Sequence, residues 1–358
     1  RTLDEGQSWQ IISPDLTRHD PKTLEHTPSY GNDTKREYWG PITREAYGPE
    51  WYATIFSFAE SPVSSDVLWA GSDDGWVHVS RDAGKNWTKV TPPDLPEFAL
   101  ISIIEPSPHN PAEAYLAATR YKLQDNHPYL YRTNDYGKTW TKIVAGIPDS
   151  DFTRVIREDT VRHGLLFTGT ETGVYVSFDD GAHWQTFKPG LPVVPVHDLL
   201  VKDGDLVAAT HGRGFWILDN VALLRQFNRA ALDESVHVFA PATTVRFRQN
   251  AGAAGNSGGG VTGSSENPPV GVSIPFYLKD APTGPVTLKI LRLRPAKRRP
   301  SPGGRRHNRA EGSKHLHLGP PLSGRQRDSW RGVSRTGRGT IGGTGQLPGG
   351  SDRRWTYL

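Results

Sequence analysis

An all-β chain of repeated four-stranded antiparallel units is the fold class predicted by this 358-residue sequence, and three observations predict it. An octapeptide pattern, Ser/Thr-x-Asp-x-Gly-x-x-Trp, recurs four times within the first 190 residues. Short apolar runs of strand length stand at matching offsets around the copies. The 38 glycines and 29 prolines, set against only 35% apolar residues, suit short strands joined by many turns rather than helices.

The copies are Thr2, Asp4, Gly6 and Trp9; Ser80, Asp82, Gly84 and Trp87; Thr133, Asp135, Gly137 and Trp140; and Ser177, Asp179, Gly181 and Trp184. Their aspartates stand 78, 53 and 44 positions apart. Before the last copy come three runs, 153–156, 165–168 and 174–177, and a fourth follows at 184–187. The earlier intervals match it with 55–58, 67–71, 77–80 and 87–90, then 101–105, 114–119, 129–133 and 140–143. Four-stranded units of about 45 residues are β-propeller blades. A terminal blade is expected from 196–201, 206–210 and 215–218, which carry no octapeptide.

The octapeptide has a mechanical reading. The Asp carboxylate accepts hydrogen bonds from turn amides, the Gly supplies positive φ, and the Trp enters the fourth strand and buries its ring. Asp4, Asp82, Asp135 and Asp179, with Trp9, Trp87, Trp140 and Trp184, are therefore assigned structural roles. These turns resemble the Asp-box repeats of sialidases, xyloglucanase-type glycoside hydrolases and sortilin-type propellers. A closer resemblance is to large bacterial proteins labelled as repeat-containing glycosyl hydrolases with a sortilin-like propeller. It rests on residues 68–75 (LWAGSDDG), 169–177 (GTETGVYVS) and 209–219 (ATHGRGFWILD), and covers roughly residues 1 to 290. The resemblance implies a secreted or periplasmic protein with more blades. The chain opens within a repeat, holds no methionine and starts without the regions of a signal peptide, so it is read as the C-terminal part of a longer one.

Four segments follow from this reading: propeller blades over 1–220; a linker over 221–265 with a short Asp-capped helix, a strand at 236–239 and a Gly-rich stretch; the opening hairpin of an immunoglobulin- or fibronectin-like β-sandwich over 266–291; and an Arg/Gly/Pro-rich tail over 292–358. The tail holds 16 of the 42 basic and 3 of the 38 acidic residues, so it carries +13 and the preceding part −9. A uniformly basic nucleic-acid face is thereby excluded for the folded part. The tail breaks off inside the expected sandwich, and Arg, Gly and Pro dominate GC-rich DNA read out of frame. It is read as an out-of-frame, disordered segment, the alternative being a basic arm for nucleic acid or anionic membrane.

In a propeller, loops joining strands two and three, and those joining blades, share the face opposite the octapeptide turns. That face offers Asp73 and Asp74, then Arg120, Tyr121 and Lys122, then Glu171, and finally His211 and Arg213. Mixed carboxylates, cations and a ring suit a polysaccharide or a peptide ligand. The longest insertion, between Thr17 and Trp51, adds Trp39 among further aromatics that either stack on sugars or pack the loop onto the rim. Arg120, Tyr121, Glu171, His211, Arg213 and Trp39 are thus the candidate ligand contacts. Glycoside hydrolysis needs two carboxyls about 5–9.5 Å apart, and only Asp73 or Asp74 with Glu171 offers a pair. A sialidase needs an arginine cluster, for which the short loops give only Arg120 and Arg213.

The chain has no cysteine, which removes thiol nucleophiles, disulfides and zinc fingers. Acidic turns such as 203–205 lack the ligand series of a calcium loop, so neither metal nor cofactor is expected. His197 begins an inner strand, and His183 lies in an octapeptide as a surface residue. No apolar run is long enough to span a membrane. Oligomeric state is left open.

Overall fold

The computed structural model describes residues 1–2, 4–19, 53–188, 190–243, 272–282, 284, 286–290, 314–317 and 330–333. Three four-stranded antiparallel meanders come first. They are β1 (Ile55–Glu60), β2 (Leu68–Ser72), β3 (Val77–Ser80) and β4 (Thr88–Lys89); β5 (Leu100–Pro106), β6 (Ala114–Arg120), β7 (Asp125–Thr133) and β8 (Thr141–Lys142); and β9 (Thr153–Glu158), β10 (Leu166–Thr170), β11 (Val174–Ser177) and β12 (Gln185–Thr186). A fourth begins with β13 (Val196–Lys202), β14 (Asp205–Thr210) and β15 (Gly214–Leu218). Then come a 3-10 turn over Val221–Gln226, helix α1 (Arg229–Asp233), β16 (Val236–Val238), β17 (Phe276–Leu278), β18 (Thr287–Ile290), β19 (Lys314–His317) and β20 (Trp330–Val333). β20 lies antiparallel to β15 and completes the fourth sheet. The fold is all-β, and its four-stranded sheets are propeller blades.

First strands of successive blades lie side by side, β1 by β5, β5 by β9 and β9 by β13. This arrangement explains the burial patterns. Middle strands such as β10 and β11 are buried at every position, because a neighbouring blade covers each face. First strands keep partly exposed positions, as β9 does at Arg154 and Arg157. Apolar clusters fill the spaces between blades: Trp69, Val79, Ile101 and Tyr131; Tyr115, Leu130, Ile156 and Trp184; Phe167, Val174, Val196 and Leu206. Burying a side chain of this kind contributes about 1.5–3 kcal/mol. The interfaces therefore hold the stack, as in other repeat architectures.

The octapeptide turns share one bonding scheme. In the third, Thr133 Oγ1 donates to Asp135 Oδ1 at 2.9 Å and accepts from the Gly137 amide at 2.9 Å, while Asp135 accepts from the Thr139 amide and hydroxyl at 2.9 and 2.7 Å. The Asp4, Asp82 and Asp179 turns repeat the hydroxyl and amide bonds, with the side chains of Ser8, Asn86 and His183 in the place of the Thr139 hydroxyl. Each indole then reaches the preceding unit: Trp87 Nε1 donates to the Ile12 carbonyl at 2.8 Å, Trp140 to Val90 at 2.6 Å and Trp184 to Ile143 at 2.7 Å. The acceptor stands three residues beyond the preceding Trp every time. That same residue packs on the box glycine, where an added Cβ would lie 2.9 Å from Ile12, 2.8 Å from Val90 and 2.6 Å from Ile143. The glycine thus serves its own turn through positive φ and the neighbouring blade through close approach.

Residues after β15 dock onto the octapeptide side of the third blade. Arg225 Nε lies 3.0 Å from each Asp159 oxygen, and Arg162 donates to the carbonyls of Leu224 at 2.9 Å and Phe227 at 2.7 Å. Two expectations differ here. Asn220, at φ 59°, rather than an aspartate, stands at the N-cap position of the 3-10 turn, with no capping bond from its side chain. Among the described residues, the runs expected to form one hairpin pair elsewhere, β17 with β16 and β18 with β19. The Gly-rich stretch at 251–264 and most of the tail lie outside the described residues. No helix among the described residues is long and apolar enough to cross a membrane.

Candidate functional site

On the face opposite the octapeptide turns, three consecutive blades send side chains to one place. Tyr121 stands in the short turn between β6 and β7, Phe152 and Arg154 at the start of β9, Glu171 between β10 and β11, His197 on β13 and His211 just after β14. Arg154 is the centre. Its Nε and a terminal nitrogen donate to Glu171 Oε2 at 3.1 and 2.6 Å, and its guanidinium lies 5.1 Å from the Tyr121 ring centre and 4.8 Å from that of Phe152. Those rings stack 5.0 Å apart, 13° from parallel. The His197 and His211 rings stand 5.2 Å apart at 30°. Burial first, then the charges of Arg154 and His211, hold the His197 imidazole below its ordinary pKa.

Sequence reading named Tyr121, Glu171 and His211, and the structure gathers them. It passed over Phe152 and Arg154, although a charged residue inside an otherwise buried first strand was a signal. His197 was noted for its position, and its neighbour was not foreseen. Arg120 is turned instead to Asp125, at 2.7 Å. Burial raises the Asp125 pKa, but hydrogen bonds led by His127 and Tyr129 outweigh it and hold the carboxyl at about 2. Arg213 is exposed, and its carbonyl accepts the Trp216 indole N–H at 3.1 Å. Trp39 lies outside the described residues.

Asp73 and Asp74 are buried where rim carboxylates were expected. Asp74 takes hydrogen bonds from the Ser72 hydroxyl and, at 2.7 Å, from the Arg18 amide. Asp73 accepts from the Thr54 amide at 2.9 Å, and burial raises its pKa. Both tie the stretches flanking the long insertion to the first blade.

Two further polar groups join blades. Arg157 on β9 donates to Glu105 on β5 at 2.7 Å, and on β13 to Asp198 and the Leu199 carbonyl, each at 2.8 Å. On the octapeptide side, Arg132 meets Glu113 and Asp180, Tyr115 donates to Asp180 at 2.7 Å, and His163 Nε2 lies 2.9 Å from Glu113. The carboxyl oxygens of Glu113 and Asp180 and a His163 nitrogen all lie within 4.8 Å of one another. Burial pushes up the pKa of Asp180 and of the neighbouring Glu158.

No protein-family model matches the chain, and no curated protein matches it. Among solved structures it is similar to YCF48 bound to D1 peptide, with 17% identity over 46% of this chain and 51% of that one, TM-score 0.36. The GH74 xyloglucanase from Xanthomonas campestris is 14% identical over 82% of this chain and 40% of that one, TM-score 0.37. An extracellular domain of a hybrid two component system from B. thetaiotaomicron is 18% identical over 50% and 23%, TM-score 0.36. The chain spans about half or less of the length of these proteins.

Proposed function

We propose that the chain is part of an extracellular or periplasmic Asp-box propeller, of the sortilin-like kind labelled as glycosyl hydrolases, and that its loop face binds a carbohydrate or peptide ligand. The observation that carries this is the gathering on one face of the group formed by Tyr121, Arg154 and Glu171 and the pair of His197 and His211, from three blades and near enough for the charges of Arg154 and Glu171 to act on His197. Arg154 with Glu171 and His197 with His211 occupy equivalent positions of successive blades but differ in residue type, so blade construction does not account for their chemistry. Glu171 Oε1 accepts no hydrogen bond from the described residues, which leaves a carboxylate oxygen for a sugar hydroxyl or a peptide N–H. The imidazoles add a donor and an acceptor each when neutral.

Glycan and peptide arrays probed with the full chain, and with Glu171→Ala and His211→Ala, test the reading. Retained signal in both variants would remove the site. The second reading is a glycoside hydrolase acting through Asp73, Asp74 and Glu171, which requires a substrate to reach Asp73 beneath the Thr54 backbone that now covers it. Reducing-sugar release that Asp73→Asn abolishes, with array binding intact, would put hydrolysis in place of binding alone.

A further inference from the structure

The octapeptide side of the junction between the second and third blades holds more negative charge than the blades themselves neutralise. Glu113 precedes β6, Glu158 ends β9, Asp180 lies in the third blade's octapeptide turn, and His163 sits in the loop between β9 and β10. Glu113 is 2% exposed and the Glu158 side chain is wholly buried. Arg132 is the cation paired with Glu113 and Asp180. Three carboxylates against one guanidinium leave two negative charges when His163 is neutral, the charge that a divalent ion cancels.

Every other carboxyl oxygen of the group has a donor. Glu113 Oε1 accepts from Arg132 and its Oε2 faces His163, while Asp180 accepts from Tyr115 and Arg132. Glu158 Oε1 accepts from the Gly164 amide at 3.0 Å and lies 3.9 Å from His163 Nε2. Its Oε2 is buried and makes no well-formed hydrogen bond, the Ser107 hydroxyl being the donor near the carboxyl. An orphaned buried carboxylate oxygen is expensive, and here it borders a trio that can already share one ion.

From this geometry we infer a site for a divalent transition ion, with Glu113, Asp180 and His163 as ligands and Glu158 closing in as a fourth. Carboxylates mixed with an imidazole suit Zn2+ or Mn2+ better than Ca2+, which takes oxygen ligands in larger number. Ligands about 2.1 Å from a common tetrahedral ion stand about 3.4 Å apart, so the trio, now within 4.8 Å, closes by up to about 1.4 Å on binding. His163, its side chain 47% exposed, gives the entry path. Tyr115 and Arg132, which each reach both Glu113 and Asp180, hold the carboxylates in place. The site bridges two blades, so the ion acts as a clasp. The trio comes from three loops in two blades, and no sequence spacing announces it.

The test uses the full chain stripped with a chelator and titrated calorimetrically with ZnCl2 and with MnCl2. One ion should bind, raising the thermal midpoint. His163→Ala and Glu158→Gln should each weaken binding by about tenfold or more, while keeping the circular dichroism of the parent. His183→Ala supplies the comparison, because it removes an exposed imidazole that pairs with Asp179. The site is overturned by the absence of saturable binding in the parent chain, or by binding that survives His163→Ala and Glu158→Gln, or by binding that disappears with His183→Ala alone.

Discussion

The two faces of the blades are built on opposite principles. On one, four turns carry the same Ser/Thr, Asp and Gly in the same bonds, and each indole with a blade before it donates to an equivalent carbonyl. On the other, Arg154 with Glu171 and His197 with His211 stand at equivalent positions of the third and fourth blades but differ in chemistry, and together with Tyr121 they gather on one face. Chemistry that recurs at every blade must serve what every blade needs, namely turning the chain and docking on a neighbour. Chemistry that occurs once and converges is free to serve a ligand. The contrast also separates carboxylates that look alike in sequence: Asp135 is held by its own turn, and Glu171 by a cation from another strand.

The largest effect that could break this contrast lies in the indoles. Trp184 is buried and bonded to the preceding blade, so Trp184→Ala should cost about 3–5 kcal/mol in urea denaturation, with Trp140→Ala close behind. Trp9 occupies the same octapeptide position but is 75% exposed, and Trp9→Ala should cost under about 0.5 kcal/mol. Equal losses at Trp9 and Trp184 would show that the motif itself, rather than the blade junction, supplies the stability. A smaller effect is expected at Gly146, whose φ is 101° and whose added Cβ would lie 2.3 Å from the Trp184 carbonyl oxygen. Gly146→Ala should cost more than about 1 kcal/mol, read as a lower denaturation midpoint.

Acid should distinguish the faces next. Hydrogen bonds led by the Ser8 hydroxyl hold Asp4 at about 2, and turn hydrogen bonds outweigh burial to keep Asp135 and Asp179 low as well. Because these pKa values are depressed in the folded chain, their stabilisation is complete above about pH 4, the unfolded carboxyl value. It is lost as pH falls through the folded values. A thermal midpoint that drops between pH 4 and 2 in the parent, and drops less in Asp135→Asn, is the expected result. An identical drop in both would detach the acid response from the turns.

How much of this could be read in the sequence follows the same division. The octapeptide, the strand runs and the assignment of loops to faces were legible because each repeats, and repetition places residues without knowledge of distance. The Trp-to-carbonyl spacing was also on the page, as Ile12, Val90 and Ile143, but it acquires meaning only when neighbouring blades are in contact. Tyr121, Glu171 and His211 were found from loop position alone. Arg154 was not, since its role depends on Glu171 seventeen residues away and on two rings from different elements. Asp73 and Asp74 looked exposed because an Asp-Gly turn ordinarily is. Here the backbone of residues 18 and 54 covers them, and no local pattern encodes that.

The smallest effects belong to the loop face, and there the order of variants carries the information. His211 and Arg213 are exposed, so His211→Ala and Arg213→Ala should shift unfolding free energy by under about 0.5 kcal/mol. Glu171→Ala should cost more, about 1–2 kcal/mol, because it leaves the largely buried Arg154 guanidinium without its carboxylate. Arg154→Ala removes the cation that both rings share and should exceed it. Ligand affinity ought to rank differently. His211→Ala, nearly silent in stability, should lower it clearly, whereas Arg213→Ala, outside the cluster, should leave it almost unchanged. Denaturation curves and array titrations on the same four variants give both rankings. If affinity merely tracked stability through the series, the cluster would be one more blade clasp, and the distinction between recurring and converging chemistry would fail at its most specific point.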